Sequence, residues 1–312
     1  MHHAKKVITG IILLLSVFLN GYAISENKSG GVKMTDWSLG RIDFSIPSQF
    51  ELRGRSQSIY HVDVTTNLLN GKTSADVWNE KLKKIKAIHV NATKNNEQIT
   101  IEEIEPGFPV VAYRENASSQ LFITVEGQKT VGNSLLSLKY QGRAGKEKDI
   151  MNLLSITAEG YQVGVSHGFN VGAGSVTSKP SVNEYARALF KQVNSVELSV
   201  TVKTAGKQLE QQPLEDIDHE IKGLARDDMT LKVLKNEERE VAGFLGYEGH
   251  ITIEGKDESP QFRFTWFTPG VTADSFRPEI LIKVHGPVEK IEEFKPIWEK
   301  LLKSLRMRPA TN

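Results

Sequence analysis

Two segments of this chain close in the same way, with a strand, a turn that contains glycine and a helix. "SLLSLKYQGRAGKEKDIMNLLSI" closes the first half, and "PEILIKVHGPVEKIEEFKPIWEKLLKSL" closes the second. The strand parts alternate apolar and polar residues, and the helix parts repeat apolar residues at steps of three and four. The repeat predicts an α+β fold with two domains of related topology, each an antiparallel β-sheet packed with helices.

The elements upstream of the two closings repeat as well. In the first half, residues 40–47 and 58–66 are predicted strands, and a helix follows in "TSADVWNEKLKKIKAI". In the second half, the strand "VELSVTVKT" precedes the predicted helix "LEDIDHEIKGLA". In the last helix we expect Pro296 in the first turn, where proline is tolerated best.

The first residues have the pattern of a secretory signal peptide. Lys5 and Lys6 precede an apolar run over residues 7–19, and Gly21 and Ala23 place small residues before the expected cleavage site. The run is shorter than the ~20 residues of a membrane-spanning helix, so we expect cleavage and export to the periplasm. No later segment is apolar enough to predict a stable membrane span.

The domain boundary is expected near residues 159–166. This divides the chain into a signal peptide (residues 1–23), an N-terminal domain (residues 24–162) and a C-terminal domain (residues 163–312). The mature chain is long enough to bury a core and suggests two domains of ordinary size.

The composition excludes several classes of protein. The chain has no cysteine, so it carries neither a disulfide framework nor a lipid anchor attached through cysteine. Its 39 basic and 38 acidic residues nearly balance, which argues against a nucleic-acid partner. Because no segment shows convergent metal ligands or a dinucleotide fingerprint, we expect no metal site and no cofactor.

The stretch "GVSHG" matches the G-x-S-x-G pattern of a hydrolase nucleophile, with Ser166 at its centre. That pattern requires a strand before the serine and a helix directly after it. Several glycines and Pro180 follow Ser166 and disfavour a helix. We therefore expect no catalytic residue and no enzyme, with a serine hydrolase that uses Ser166 as an alternative.

Three groups of residues are candidates for contact with a protein partner. They combine expected exposure with charge or an aromatic ring, which suits an interface. The alternative for the acidic residues is a solvated surface that contacts no partner. The alternative for the aromatic residue is burial under the neighbouring helix. The candidates are Asp216, Asp218 and Glu220 on a helix, Glu102, Glu103 and Glu105 before a Pro/Gly turn, and Phe267 and Asp274 at a loop.

Five segments carry a family resemblance. "WSLGRIDFSIPSQF" resembles the opening of the two-domain immunity proteins that accompany type VI secretion lipase effectors. "GFNVGAGSV", "REVAGFLGYEG", "FRFTWFTPG" and "RPEILIKVHG" follow in the order and approximate spacing of that family. The resemblance spans nearly the whole mature chain and departs from the family in the missing cysteines, which relatives often carry near these strand starts.

The resemblance implies a periplasmic protein that binds a cognate phospholipase effector and occludes its active site or lid. It also implies that the cleft between the two domains grips the effector, and that the chain has no catalytic residues and no cofactor. A periplasmic ligand-binding or scaffold protein is the other open alternative.

Overall fold

The computed structural model describes residues 32–92, 100–105, 108–114, 121–192, 195–206, 229–256 and 258–309. The predicted signal peptide and the acidic helix positions Asp216, Asp218 and Glu220 lie outside these residues. In chain order the strands are β1 Met34–Leu39, β2 Ile42–Pro47, β3 Glu51–Ile59, β4 Val62–Leu68, β5 Thr100–Glu105, β6 Phe108–Tyr113, β7 Phe122–Val131, β8 Ser134–Arg143, β9 Tyr161–Val163, β10 Phe169–Asn170, β11 Gly174–Val176, β12 Glu184–Lys191, β13 Glu197–Lys203, β14 Met229–Val241, β15 Phe244–Gly255, β16 Gln261–Thr268, β17 Glu279–Pro287 and β18 Arg306–Met307. The helices are α1 Ser74–Ala92, α2 Glu147–Gly160, the short 3-10 helix Val288–Lys290 and α3 Ile291–Ser304.

Twelve strands form one antiparallel sheet in the order β14-β15-β16-β17-β13-β12-β3-β4-β8-β7-β6-β5. Counted outward from the central β12–β3 pair, the second half runs β12-β13-β17-β16-β15-β14 and the first half runs β3-β4-β8-β7-β6-β5. The two halves therefore have the same strand order relative to their own sequence. The coarse prediction of an α+β fold built on antiparallel sheet is confirmed.

The predicted single strand over residues 58–66 is wrong, because a hairpin turn interrupts it. Ile59 pairs with Val62, and the two residues between them, Tyr60 and His61, have φ angles of 55° and 65°. A two-residue turn with two positive φ angles matches the twist of the flanking strands and usually contains Asn-Gly. Tyr60 and His61 are not residue types that indicate such a turn. The alternation of apolar and polar residues around Val62 therefore predicts an uninterrupted strand.

One continuous core lies between the sheet and the helices α2 and α3. The alternating residues Phe262, Phe264 and Trp266 of β16 are fully buried there, as predicted from their spacing. Trp298 of α3 packs against Phe264, with ring centroids 5.9 Å apart. In the first half, α1 covers the opposite face of the sheet, where Trp78 joins a smaller cluster. Burial of these aromatic side chains contributes a large share of the folding free energy.

The expected position of Pro296 in the first turn of the last helix is wrong. The helix α3 begins at Ile291, so Pro296 lies inside it and removes one backbone hydrogen bond. Phe294, just before the proline, is buried and packs edge-on against Phe50 at 6.2 Å between ring centroids. This tertiary packing holds the preceding turn in helical form despite the proline.

Each half supports the other through short strands. The amide of Ser45 in β2 donates to Ser304 Oγ of α3 at 2.7 Å. Conversely, Thr177, directly after β11, donates through its amide to the carbonyl of Gly160 at the end of α2 at 2.8 Å. The β1–β2 hairpin of the first half is thus attached to α3 of the second half. The segment after β11 in the second half is attached in turn to the end of α2 in the first half.

Candidate partner-binding surface

A buried ion pair joins the two halves. Arg41 follows Gly40 in the turn between β1 and β2, and Glu184 begins β12. The Nε and Nη2 atoms of Arg41 donate to the two carboxylate oxygens of Glu184 at 2.8 and 2.6 Å. Their side chains are 1% and 3% exposed, so the two charges neutralise each other away from water.

This ion pair also positions two neighbouring loops. Glu184 accepts a hydrogen bond from the amide of Ser181 at 3.1 Å, which fixes the loop before β12. The Arg41 guanidinium lies 5.2 Å from the ring centroid of Phe276, in the loop between β16 and β17. Ser275 Oγ donates to the carbonyl of Ser181 at 2.6 Å and ties the two loops together.

The glycine-rich segment "FNVGAGS" bridges β3 and β4 where these strands diverge. Arg55 Nη2 of β3 donates to Asn170 Oδ1 at 2.5 Å, and Gln57 of β3 donates to the Asn170 carbonyl. Thr66 Oγ1 of β4 donates to the carbonyl of Val171 at 2.8 Å. The segment therefore fixes how the two half-sheets diverge, as expected of glycine-rich backbone in close contact.

Arg308 near the C-terminus makes a third connection. It donates to Asp43 Oδ1 and Ser38 Oγ, both at 2.9 Å, in the first β-hairpin. It also donates to Ser175 Oγ at 3.0 Å in the glycine-rich segment. Three polar clusters of buried or partly buried residues thus hold the halves together and make one rigid support for the loops.

Three exposed apolar side chains lie near the same end of the sheet, two on loops and one at the start of β15. Val182, Leu245 and Val271, which we call the apolar rim, are 59%, 58% and 36% exposed. Thr268 Oγ1 donates to the Leu245 carbonyl at 3.0 Å, which places the β14–β15 turn beside the β16–β17 loop. Exposed apolar groups on a rigid scaffold are typical of protein-binding surfaces.

The predicted contacts Phe267 and Asp274 lie beside the apolar rim. Phe267 is half-buried near the end of β16, opposite Tyr247 on one neighbouring strand and Leu281 on the other. Asp274 accepts hydrogen bonds from Arg277 Nε at 2.7 Å and from the Phe276 amide at 2.9 Å. The hydrogen bond from Arg277 contributes most to lowering the pKa of Asp274. The ionised carboxylate of Asp274 therefore stabilises the loop to which it belongs.

The acidic candidates of the first half lie elsewhere. Glu102, Glu103 and Glu105 belong to β5, the outermost strand of the first half. Eight strands separate β5 from β16 in the sheet, which is about 40 Å along the sheet at ~4.8 Å per strand. The structure therefore does not bring these glutamates together with Phe267 and Asp274.

Ser166 lies in an exposed bend between β9 and β10. The element that follows it is the strand β10, whereas a hydrolase nucleophile requires a helix at this point. The local structure thus supports the rejection of the G-x-S-x-G match. Among the residues that the structure describes, no group of three or more His, Asp or Glu side chains is arranged to hold a metal ion.

The residues that join the halves were not predicted as functional. Arg41, Glu184 and Asn170 are polar residues whose types are normally exposed. The one sequence signal is the "GR" pair between two alternating strands, in which Gly40 has a φ angle of 56° and lies tightly against Ala186 and Phe169. A tight turn at Gly40 directs the next residue into the interior.

The C-terminal half matches the family model described as "Tle cognate immunity protein 4 C-terminal domain" over residues 163–310. This half of the chain is thus a member of the Tle cognate immunity protein 4 C-terminal domain family. The resemblance predicted from the five sequence segments is thereby confirmed. No protein with a curated functional description matches the chain.

Solved immunity proteins share this fold. The apo immunity protein TplEi of the type VI secretion system from Pseudomonas aeruginosa is 13% identical, with a TM-score of 0.71 over 89% of this chain and 98% of that chain. A structure described as the Tle4–Tli4 complex is 11% identical, with a TM-score of 0.72 over 89% and 98%. TplEi from the same organism complexed with an "L" peptide is 11% identical, with a TM-score of 0.66 over 89% and 99%.

The helices that the structure describes include none that is both long enough and apolar enough to span a membrane.

Proposed function

We propose that this protein is an immunity protein that binds a cognate type VI secretion phospholipase effector and neutralises it. The observation that carries the proposal is the match of residues 163–310 to the Tle cognate immunity protein 4 domain. The fold is shared with a protein solved in a Tle4–Tli4 complex, which supports the same role.

The apolar rim is the proposed centre of the effector interface. Val182 and Val271 lie on loops held in place by the buried Arg41–Glu184 ion pair and the Ser275–Ser181 hydrogen bond, and Leu245 lies at the start of β15. A preformed surface loses little conformational entropy on binding, which favours high affinity. Phe267 and Asp274 flank the rim and are proposed contacts of the same interface.

The chain acts without catalysis of its own in this proposal. Bound at the rim, the protein occludes the active site or the lid of the effector and prevents access of lipid. The acidic positions Asp216, Asp218 and Glu220 and the glutamates of β5 remain predicted contacts of a second, outlying part of the interface.

The proposal includes two domains, residues 24–162 and residues 163–312. The equal strand order of the two halves supports this division, and the family match begins at residue 163. It also includes export to the periplasm after cleavage of residues 1–23, which the basic and apolar pattern of these residues supports.

The experiment is a titration of residues 24–312 into a periplasm-targeted phospholipase effector encoded beside the gene, while lipid hydrolysis is followed. We expect stoichiometric loss of hydrolysis. A Val182→Asp/Val271→Asp variant should inhibit weakly, whereas the matched control Val233→Asp, 50% exposed on β14, should inhibit like the natural protein. Unchanged hydrolysis at a tenfold excess of the natural protein over this effector would contradict the proposal.

A further inference from the structure

A basic groove lies on the sheet face opposite α3, where the two halves meet. Its volume is about 490 Å³, within the usual range of small-ligand sites. Its charged lining consists of five cationic side chains, one histidine and one carboxylate. These residues are Arg53, Arg187, Lys191, Arg263, Lys283, His285 and Glu197.

The strand register concentrates these cations. Arg187 and Lys191 lie on the same face of β12, with Leu189 between them at 39% exposure. Arg53 comes from the adjacent strand β3, so both halves contribute to the groove. On the other side, β13 places Ser199 opposite Leu189, so a serine and a leucine lie between the cationic side chains.

Glu197 is the carboxylate in the lining, and Glu51, outside the lining, lies 3.3 Å from Arg53. Glu197 Oε1 lies 3.4 Å from Lys191 Nζ, and Glu197 Oε2 lies 3.4 Å from His285 Nε2, so the carboxylate is shared between the two side chains. The pKa of His285 is lowered by its partial burial, raised by Glu197, and lowered again by the charges of Arg263 and Lys191. Two of the surrounding cations thus act against protonation of the imidazole.

From this concentration of guanidinium and ammonium groups around a small concave floor, we propose that the groove binds a phosphate group. Arginine presents paired donors that match phosphate oxygens, and lysine adds point charge, so phosphate esters fit this lining better than neutral ligands do. A free phosphate monoester and the headgroup of an anionic phospholipid both supply this group. The site goes beyond the proposed effector interface, which lies at the loop end of the sheet.

The test measures binding of glycerol 3-phosphate by calorimetry and of phosphatidylglycerol vesicles by sedimentation, with phosphatidylcholine vesicles for comparison. The variant Arg53→Gln/Arg187→Gln removes two exposed groove cations, one from each half. The control Lys148→Gln/Lys300→Gln removes two exposed cations from α2 and α3, which lie on the other face. We expect the groove variant to weaken binding about tenfold or more, and the control to bind normally.

A second readout is the imidazole of His285, followed by NMR during a pH titration. Bound phosphate places negative charge near the ring, so its pKa should rise with glycerol 3-phosphate in the natural protein and rise much less in the groove variant. Binding of glycerol 3-phosphate supports a site for free esters, and binding restricted to phosphatidylglycerol vesicles supports a headgroup site.

Two results would overturn the inference. One is binding of neither ligand, or binding that the groove variant leaves unchanged. The other is a groove variant that loses affinity for the phospholipase effector while the natural protein binds no phosphate, which would assign the groove to a protein interface. Effector inhibition by the natural protein is measured separately, so failure of the groove and failure of the immunity function are distinguishable.

Discussion

Arg41 and Glu184 are separated by 143 residues in the chain and form two hydrogen bonds of 2.8 and 2.6 Å in the interior. Arg41 belongs to the first hairpin, and Glu184 belongs to β12, the strand of the second half that pairs with β3. Burial of two charges is costly, and their mutual contact offsets this cost because both guanidinium and carboxylate are bound in a bidentate arrangement.

Removal of one partner of this pair should destabilise the protein strongly. Arg41→Met leaves the Glu184 carboxylate buried without its counter-charge, and we expect a loss of about 3–5 kcal/mol in the free energy of unfolding. The double variant Arg41→Met/Glu184→Leu should recover most of this loss. Urea unfolding measures both, with Arg53→Met as a control, since the exposed Arg53–Glu51 pair is worth under ~1 kcal/mol. Equal effects of Arg41→Met and the control would contradict the role of the buried pair.

Gly172 should tolerate no side chain, for two separable reasons. Its φ angle is 83°, and a Cβ atom there would lie 2.2 Å from Thr66 Oγ1. Gly71 has a φ angle of 82° with no atom within 4 Å of a Cβ, so Gly71→Ala isolates the backbone cost of about 1–2 kcal/mol. We expect Gly172→Ala to cost roughly 2 kcal/mol more than this control.

Thr66→Ala provides the check on the steric part of this prediction. It removes the hydroxyl that a new Cβ would strike, so Gly172→Ala and Thr66→Ala together should cost less than the sum of the two single variants. Strict additivity in urea unfolding would show that the close approach of Gly172 and Thr66 is unimportant.

These examples show which features follow from the sequence. The alternation of Phe262, Phe264 and Trp266 is local, and it correctly predicts a buried strand face. The poor helix signal after Ser166 is also local, and it correctly disfavours a nucleophile turn. The family resemblance depends on the order of several such segments, which is why it is recovered although each segment is weak.

The remaining features depend on contacts between distant residues. From the sequence alone, Arg41 is predicted to be a surface residue. Only the fold brings Glu184 of β12 into contact with it. Tyr60 and His61 are not residue types that favour a two-residue turn. Their positive φ angles are imposed by the pairing of the flanking strands. The apolar rim arises from two loops and the start of β15, which lie near one another only in the folded chain, so neither Val182 nor Leu245 is distinguished in the sequence from an isolated surface residue.

Glu248 should couple stability to pH. It is fully buried on β15 and accepts hydrogen bonds from Lys235 at 2.8 Å, Arg239 at 2.9 Å and Trp298 at 2.5 Å, with His250 Nε2 at 2.7 Å. Burial raises its pKa, but the hydrogen bonds, above all from His250 and Arg239, outweigh burial and hold the pKa well below the usual range.

A carboxylate with a lowered folded-state pKa stabilises the protein above its unfolded pKa of ~4.3, and this contribution is lost as the pH falls further. Glu248→Gln should therefore reduce the free energy of unfolding at pH 7 by about 3 kcal/mol, and the difference from the natural protein should shrink between pH ~5 and pH ~2. Urea unfolding across this range measures the difference. A difference that stays constant with pH would show that the charge of Glu248 is not responsible.

Ser166→Ala should change neither stability nor inhibition of the effector. Ser166 is exposed in the bend before β10, so removal of its hydroxyl leaves no buried group without a partner. Inhibition titrations and thermal unfolding should both overlay those of the natural protein. An esterase activity of the natural protein that is lost in Ser166→Ala would instead establish the hydrolase alternative.

Phe267→Ala should weaken effector binding more than it weakens folding. The ring is half-buried between Tyr247 and Leu281, so its loss costs about 1–2 kcal/mol of folding free energy. Aromatic residues beside an exposed apolar surface often carry 2 kcal/mol or more of binding energy, so we expect affinity to fall roughly thirtyfold. Tyr140→Ala, a half-buried aromatic residue on β8 of the first half, should lose similar stability and keep its affinity. Equal affinities of the two variants in calorimetry would place the effector interface away from Phe267 and would favour the opposite edge of the sheet, where the glutamates of β5 lie.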